Sequence, residues 1–200
     1  EWERFAGLEV KPDTLRLFLQ GVPFAGASHR CHEAPLVPVP PVLAKPSGGR
    51  LSTQAGFGRV LADIARQHQE LADRIVTTSP DVTVSTNLGG WVNRRGVFSQ
   101  SAQVDVFRED QPLSAQDWSM GPDGQHLELG IAENNLFVLL AALGLSGPLF
   151  GTRLLPVGTL YDPFISRGLD ALNYACYQDA RFILVATPAG VSLAPEGGAH

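Results

Sequence analysis

Two hundred residues with a formal net charge of −5 and no cluster of Lys or Arg allow one domain with a real core, and exclude the strongly basic surface that nucleic acid requires. The two cysteines, Cys31 and Cys176, are far apart, which points to a reducing compartment rather than a disulfide scaffold. The longest apolar run, residues 136–143, is too short to span a bilayer and no signal peptide opens the chain, so the expectation is a cytoplasmic protein with no membrane and no nucleic acid among its partners.

The chain opens on Glu1, without an initiator Met, and stops at His200 inside a Gly-rich loop, which reads as a piece of a longer protein. Residues 1–50 form a lead-in or interdomain linker. Within it, residues 13–19 suit a short helix, and residues 35–46 carry Pro too often for a helix or a central strand, so an extended path is expected. Ser47, Gly48 and Gly49 then make a flexible joint. Residues 51–200 form the domain proper, expected to be truncated at its C-terminal end.

A helix starts at Ser52 or Thr53, either of which can cap it, and Phe57, Val60, Leu61 and Ile64 supply its apolar face. Residues 70–74 read as polar, and residues 74–78 as a short buried strand ended by Ser79 and Pro80. Residues 87–90 read as a loop, 104–107 as a strand and 111–124 as a polar loop. Next come a helix over 131–143, a strand over 153–157, a helix over 164–177 in which Cys176 belongs to the core, and an apolar strand over 181–187. Helix and strand patterns that alternate in this way predict an α/β fold, a mostly parallel sheet with helices on both faces.

Ligands of such sheets bind at the carboxyl ends of the strands. Asp81, the 159–164 loop and the 188–200 loop each come after a strand and would share that edge. Glu133 stands at the head of the apolar 136–143 run, where the positive end of the helix dipole favours an acid and a buried wall keeps water away. Tyr161 and Phe164, three apart after a strand, offer aromatic faces on which a ring can stack, although aromatics in such places also serve as core. Asp81 comes after a Pro and equally suits a turn. His29, Cys31, His32 and Glu33 are metal-ligand types spaced too tightly for a usual zinc set, so no metal is expected there.

Five segments in order resemble one family. Gly130-Ile131-Ala132-Glu133-Asn134 is similar to the motif that carries the cofactor-activating glutamate of thiamine diphosphate enzymes. Ser52 to Leu61 resembles the opening helix of that family's pyrimidine-binding domain, and Ser79-Pro80-Asp81 its short acidic turn. Tyr161-Asp162-Pro163-Phe164 with Arg167 resembles its aromatic cofactor loop. Gln178 to Phe182, followed by Leu193-Ala194-Pro195-Glu196-Gly197-Gly198-Ala199-His200, resembles its last segment before the active-site histidine. The greatest likeness is to the homodimeric decarboxylating component of pyruvate dehydrogenase, within the transketolase superfamily.

The resemblance implies a pyrimidine-binding domain with a transketolase-like fold. It implies an oxidoreductase-type enzyme that decarboxylates a 2-oxo acid substrate and passes the acyl unit to a lipoyl group. Glu133 would hydrogen-bond to the cofactor's pyrimidine nitrogen, Phe164 and Tyr161 would contact its ring, and Asp81 would lie near it. Glu196 and His200 would face the substrate as active-site residues. The family's magnesium and diphosphate signature, Gly-Asp-Gly followed at a distance by Asn, is missing from the sequence. Thiamine diphosphate would therefore be bound with magnesium supplied through another domain, with residues 35–49 joining that diphosphate-binding domain to this one. A homodimer with the 131–143 helix near its interface would be the working form. Three departures, Ala132 beside the glutamate, Asp162-Pro163 in the aromatic loop and a slightly short segment from Tyr161 to Arg181, leave the substrate open. A transketolase-type transferase of two-carbon ketol units and a non-catalytic α/β dimerisation domain remain as alternatives.

Overall fold

Helix α2 (Thr53–Gln67) starts where the sequence places it, with the Ser52 hydroxyl accepting from the Ala55 amide at 3.1 Å. The structure, a computed structural model, describes residues 9–22, 32–46, 49–103 and 117–187. Before α2, helix α1 (Pro12–Gly21) buries none of its residues, and residues 32–46 run without helix or strand, touching the core through Val37. The strand expected over 104–107 lies outside the described residues.

Among the described residues six strands form one sheet: β1 (Ile75–Ser79), β2 (Val97–Phe98), β3 (Met120–Gly121), β4 (His126–Glu128), β5 (Leu155–Tyr161) and β6 (Ile183–Thr187). Their order is β3-β2-β4-β1-β5-β6 and every strand pair is parallel. In β1, Thr77 stands opposite His126 of β4 on one side and Val157 of β5 on the other. Parallel strands need crossovers, and these carry α4 (Gly89–Arg95), α5 (Glu133–Gly144), α6 (Ser146–Phe150) and α7 (Leu169–Tyr177), whereas α3 (Gln69–Ala72) leads from α2 into β1.

Two cores result, one on each face. Leu61, Ile64 and Ala65 of α2 pack with Leu88, Trp91 and Val92 against Ile75, Val97 and Val157. Leu136, Phe137 and Leu140 of α5 pack with Leu160, and with Ala171 and Leu172 of α7. Val157 and Leu160 are an odd number of residues apart on one strand, so they point to opposite faces. The fold is therefore α/β, a parallel sheet with helices on both faces, as the sequence pattern implies.

Several elements depart from the sequence expectation. Residues 87–90 are not a loop throughout, because α4 begins at Gly89, driven by Trp91 and Val92, which are both fully buried. The single turn of α3 overlaps the polar 70–74 stretch, held there by buried Leu71 and Ala72. Strands β3 and β4 are only two and three residues long, and a period-two pattern cannot show itself over so few positions. β5 runs later than expected, so that Tyr161 is its last residue rather than part of a loop. The helix expected over 164–177 is split into a 3-10 segment, Asp162–Gly168, and α7. Cys176 is exposed and not in the core, because Ala175 is the buried residue of α7 and the next position points away from it. No helix among the described residues is long and apolar enough to cross a membrane.

Gly58 tests how tightly the α2 face is built. A Cβ placed there would lie 2.2 Å from the backbone oxygen of Asn87, so α2 sits directly on the chain that leads into α4. Ala favours a helix over Gly by about 1 kcal/mol, yet overpacking against immobile backbone costs about 1–3 kcal/mol. Gly58→Ala is therefore expected to lower stability in chemical denaturation, and a more stable variant would contradict the packing described.

Candidate active site at the carboxyl edge of the sheet

A turn over residues 81–87 closes the end of β1, bracketed by two residues with left-handed backbone, Asp81 at φ 61° and Asn87 at φ 63°. Asp and Asn are the non-glycine residues that tolerate this conformation best. Side chains from two strands, β4 and β5, hold the turn down. The Asp81 amide donates to Glu128 Oε1 at 2.7 Å, Thr86 Oγ1 lies 3.0 Å from Thr159 Oγ1, and the Tyr161 hydroxyl donates to Ser85 Oγ at 2.7 Å. Gln54 of α2 adds a bond from Nε2 to the Ser85 carbonyl.

Beneath the turn lies a buried polar chain. His126 is fully buried, with Nδ1 2.9 Å from Thr77 Oγ1 and Nε2 2.8 Å from Thr83 Oγ1. The Thr83 hydroxyl also donates to Glu128 Oε2 at 2.5 Å. A hydroxyl has one hydrogen, so the bond to His126 must run the other way, and this places a proton on Nε2. The Ser79 hydroxyl donates to Glu128 Oε2 at 3.3 Å, and the Leu129 amide to Oε1 at 3.1 Å. Burial pushes the Glu128 carboxyl up, but the bonds from His126, Thr83 and the Asp81 amide prevail and bring it from 4.5 down to about 2.

Glu133 is the first residue of α5, four residues beyond Leu129. The helix has no side-chain cap, since Ala132 fills that position, so the Glu133 carboxylate meets the positive helix end without a competing side-chain acceptor. Its side chain is 8% exposed, and Arg167 Nη1 donates to Oε1 at 2.9 Å. The Arg167 guanidinium carbon also sits 4.1 Å from the centre of the Phe164 ring. Phe164 is 8% exposed, and its ring is tilted against Tyr161 at 6.1 Å between centroids. Gly168 allows this assembly, because a Cβ there would lie 2.2 Å from the Phe137 ring of α5.

The structure thus brings Glu133, Phe164 and Tyr161 into one cluster, joined by Arg167. Tyr161 links that cluster to the 81–87 turn through Ser85. Asp81 belongs to the turn, but its backbone amide makes the contact to Glu128 and the residue itself is exposed. Glu196 and His200 lie outside the described residues. Glu128, His126 and Thr83 were not singled out by the sequence pattern. The signal was the alternation of His126 with Glu128 and of Thr77 with Ser79, which puts two titratable groups and two hydroxyls on one face of neighbouring strands. A cavity of about 510 Å³ lined by Asp73, Arg94, Arg95, Ser119 and Asp123 opens at the opposite edge, near the strand starts, and includes none of the cluster.

No protein-family model matches the chain, and neither does any curated protein sequence. Among solved structures it is similar to a transketolase from Leishmania mexicana, with a TM-score of 0.48 and 20% identity over 71% of this chain. The chain spans 18% of that transketolase's length.

The Glu128 chain has a pH signature. A carboxyl held at about 2 in the folded protein and near 4.5 when unfolded stabilises the fold fully above pH 4.5, and that stabilisation is lost as pH falls through 2. Allowing for solvent screening of a side chain that is 32% exposed, the contribution is about 1–2 kcal/mol. Denaturation midpoints of the wild type should fall more steeply between pH 4.5 and 2 than those of Glu128→Gln. Parallel pH profiles for the two proteins would contradict this.

Proposed function

We propose that this chain supplies the ring-binding half of a thiamine diphosphate site in an enzyme of the transketolase superfamily, acting as the decarboxylating component of a 2-oxo acid dehydrogenase. The observation that carries the reading is the convergence of Glu133 and Phe164, 31 residues apart, on one guanidinium at the carboxyl edge of the sheet. Both belong to the segments that resemble the family's glutamate motif and its aromatic loop. A shielded carboxylate beside an aromatic ring is the donor set that an aminopyrimidine needs, with one hydrogen-bonding partner in the ring plane and one stacking face. Asp162 Oδ1, buried without a hydrogen-bond partner at the end of β5, is a further acceptor at the same place, suited to a ring amino group.

When bound, thiamine diphosphate supplies the carbon nucleophile that attacks a 2-oxo acid and holds the electrons left by departing carbon dioxide. The residues of this chain do the positioning. Glu133 hydrogen-bonds to the ring nitrogen and holds or releases a proton there, in a site from which the α5 wall of Leu136 and Phe137 excludes water. Phe164 carries the ring, and Tyr161, anchored to Ser85, fixes the angle of Phe164. Asp81, in its left-handed turn, faces the same edge. Glu196 and His200 are assigned to the substrate on the resemblance.

The magnesium and diphosphate contacts belong to another domain in this reading. A second copy of the chain brings it close, in a homodimer. Helix α5 supports that arrangement, because Val138 is 54% exposed although the helix carries apolar residues on almost every side.

Glu133→Gln in the full-length protein keeps the shape of the side chain and removes its ability to exchange a proton. Loss of a general acid–base group costs about 10²–10⁴ in rate. Turnover of pyruvate should fall by that factor while the circular dichroism spectrum stays unchanged. Activity within about threefold of wild type, with thiamine diphosphate and magnesium saturating, would refute the assignment.

A further inference from the structure

Glu133 and Phe164 are each 8% exposed, so neither presents a surface on which a ring could land. Something must move before a planar ligand can reach both. One side chain covers them together. Arg167 lays its guanidinium over the Phe164 ring at 4.1 Å and pairs with Glu133 Oε1 at 2.9 Å. It is also the accessible member of the group, at 40% side-chain exposure. Glu133 is fixed in the first turn of α5, and Tyr161 is tied to Ser85. Arg167, near the end of the 3-10 segment, instead has a long side chain whose charged head already reaches toward solvent.

We propose that Arg167 is a retractable cover on the ring-binding site, a guanidinium that occupies the stacking face and the carboxylate until a planar heterocycle displaces it. This rests on the ring-binding reading of Glu133 and Phe164 given above. The guanidinium imitates the ligand: it is planar, stacks on Phe164 and donates an N–H to Glu133. A ring that binds there exchanges one stacked donor for another, so the carboxylate is never left buried and unpaired, which would be costly. The cover also selects. A ligand that only stacks, or only hydrogen-bonds, replaces one of these two contacts, leaves the other in place and does not displace Arg167.

The ion pair is partly exposed and therefore weakened by salt. This gives the cover a signature that a purely structural residue lacks. The probe is the aminopyrimidine portion of thiamine, the ring with its methyl and hydroxymethyl groups. It is uncharged and reports the ring site without any diphosphate or magnesium contact. Its affinity for the full-length protein, read by ligand-observed nuclear magnetic resonance, should be about five- to tenfold tighter in Arg167→Ala than in wild type at low salt. Arg167→Lys, which keeps the charge but loses the planar cover, should fall between them. The gap between wild type and Arg167→Ala should narrow as salt is raised, and Phe164→Ala should lose the probe.

Equal affinity in wild type and Arg167→Ala, with binding lost in Phe164→Ala, would overturn the cover and leave the ring site standing. Weaker binding in both Arg167 variants would make Arg167 a ligand and overturn the proposal. Binding undiminished by Phe164→Ala would refute the ring site itself, and the cover with it.

Discussion

A carboxylate held at the end of a central strand must be met by donors, and the way Glu128 is met organises the whole carboxyl edge. One oxygen takes the amides of Asp81 and Leu129, the other the hydroxyls of Thr83 and Ser79. The two amides lie on either side of the place where β1 and β4 end, so one side chain sets both the turn after β1 and the departure of the chain toward α5. His126 below it fills the space between the strands with a group that hydrogen-bonds at both ring nitrogens, to Thr77 and Thr83. Remove the charge and the donors remain, but the bonds lose the strength that an ionised acceptor gives them.

Glu133 owes its position to that edge. The chain leaves Glu128, turns at Gly130, and enters α5 with an acid as its first residue. Helix α5 is then pressed onto the sheet by Leu136, Phe137 and Leu140, and onto the 3-10 segment through Gly168. Packing on the apolar side therefore fixes the position of the one charged group on the buried face of the helix. Arg167 completes it from the facing segment. An acid at a helix start gains from the positive end of the helix, but pairing with a half-exposed arginine adds little further to the fold. The pair makes more sense as a site held closed.

The sequence made some of this legible for identifiable reasons. The Ser52 cap, the β1 strand with its Ser79-Pro80 stop and the apolar run that becomes α5 are all local signals, and each survives in the structure. The α/β class came from their alternation. The polar network was hidden, because its members are drawn from β1, the 81–87 turn and β4, and β4 is three residues long. Only the register of two strands distant in sequence brings Thr77 beside His126. Glu133, Phe164 and Tyr161 each stand out in a local motif, whereas their meeting through Arg167 depends on the 3-10 segment, which reads as ordinary helix from its residues. Cys176 shows the limit of periodicity, since a shift of one position on α7 moves it from the core to the solvent.

The central claim is that an aminopyrimidine ring lies between Glu133 and Phe164, and a structure of the full-length protein with thiamine diphosphate and magnesium tests it most directly. The account predicts the ring stacked on Phe164, with a ring nitrogen about 2.7–3.2 Å from a Glu133 carboxylate oxygen. A cofactor bound elsewhere, with Glu133 still paired to Arg167 and Phe164 still covered, would contradict it.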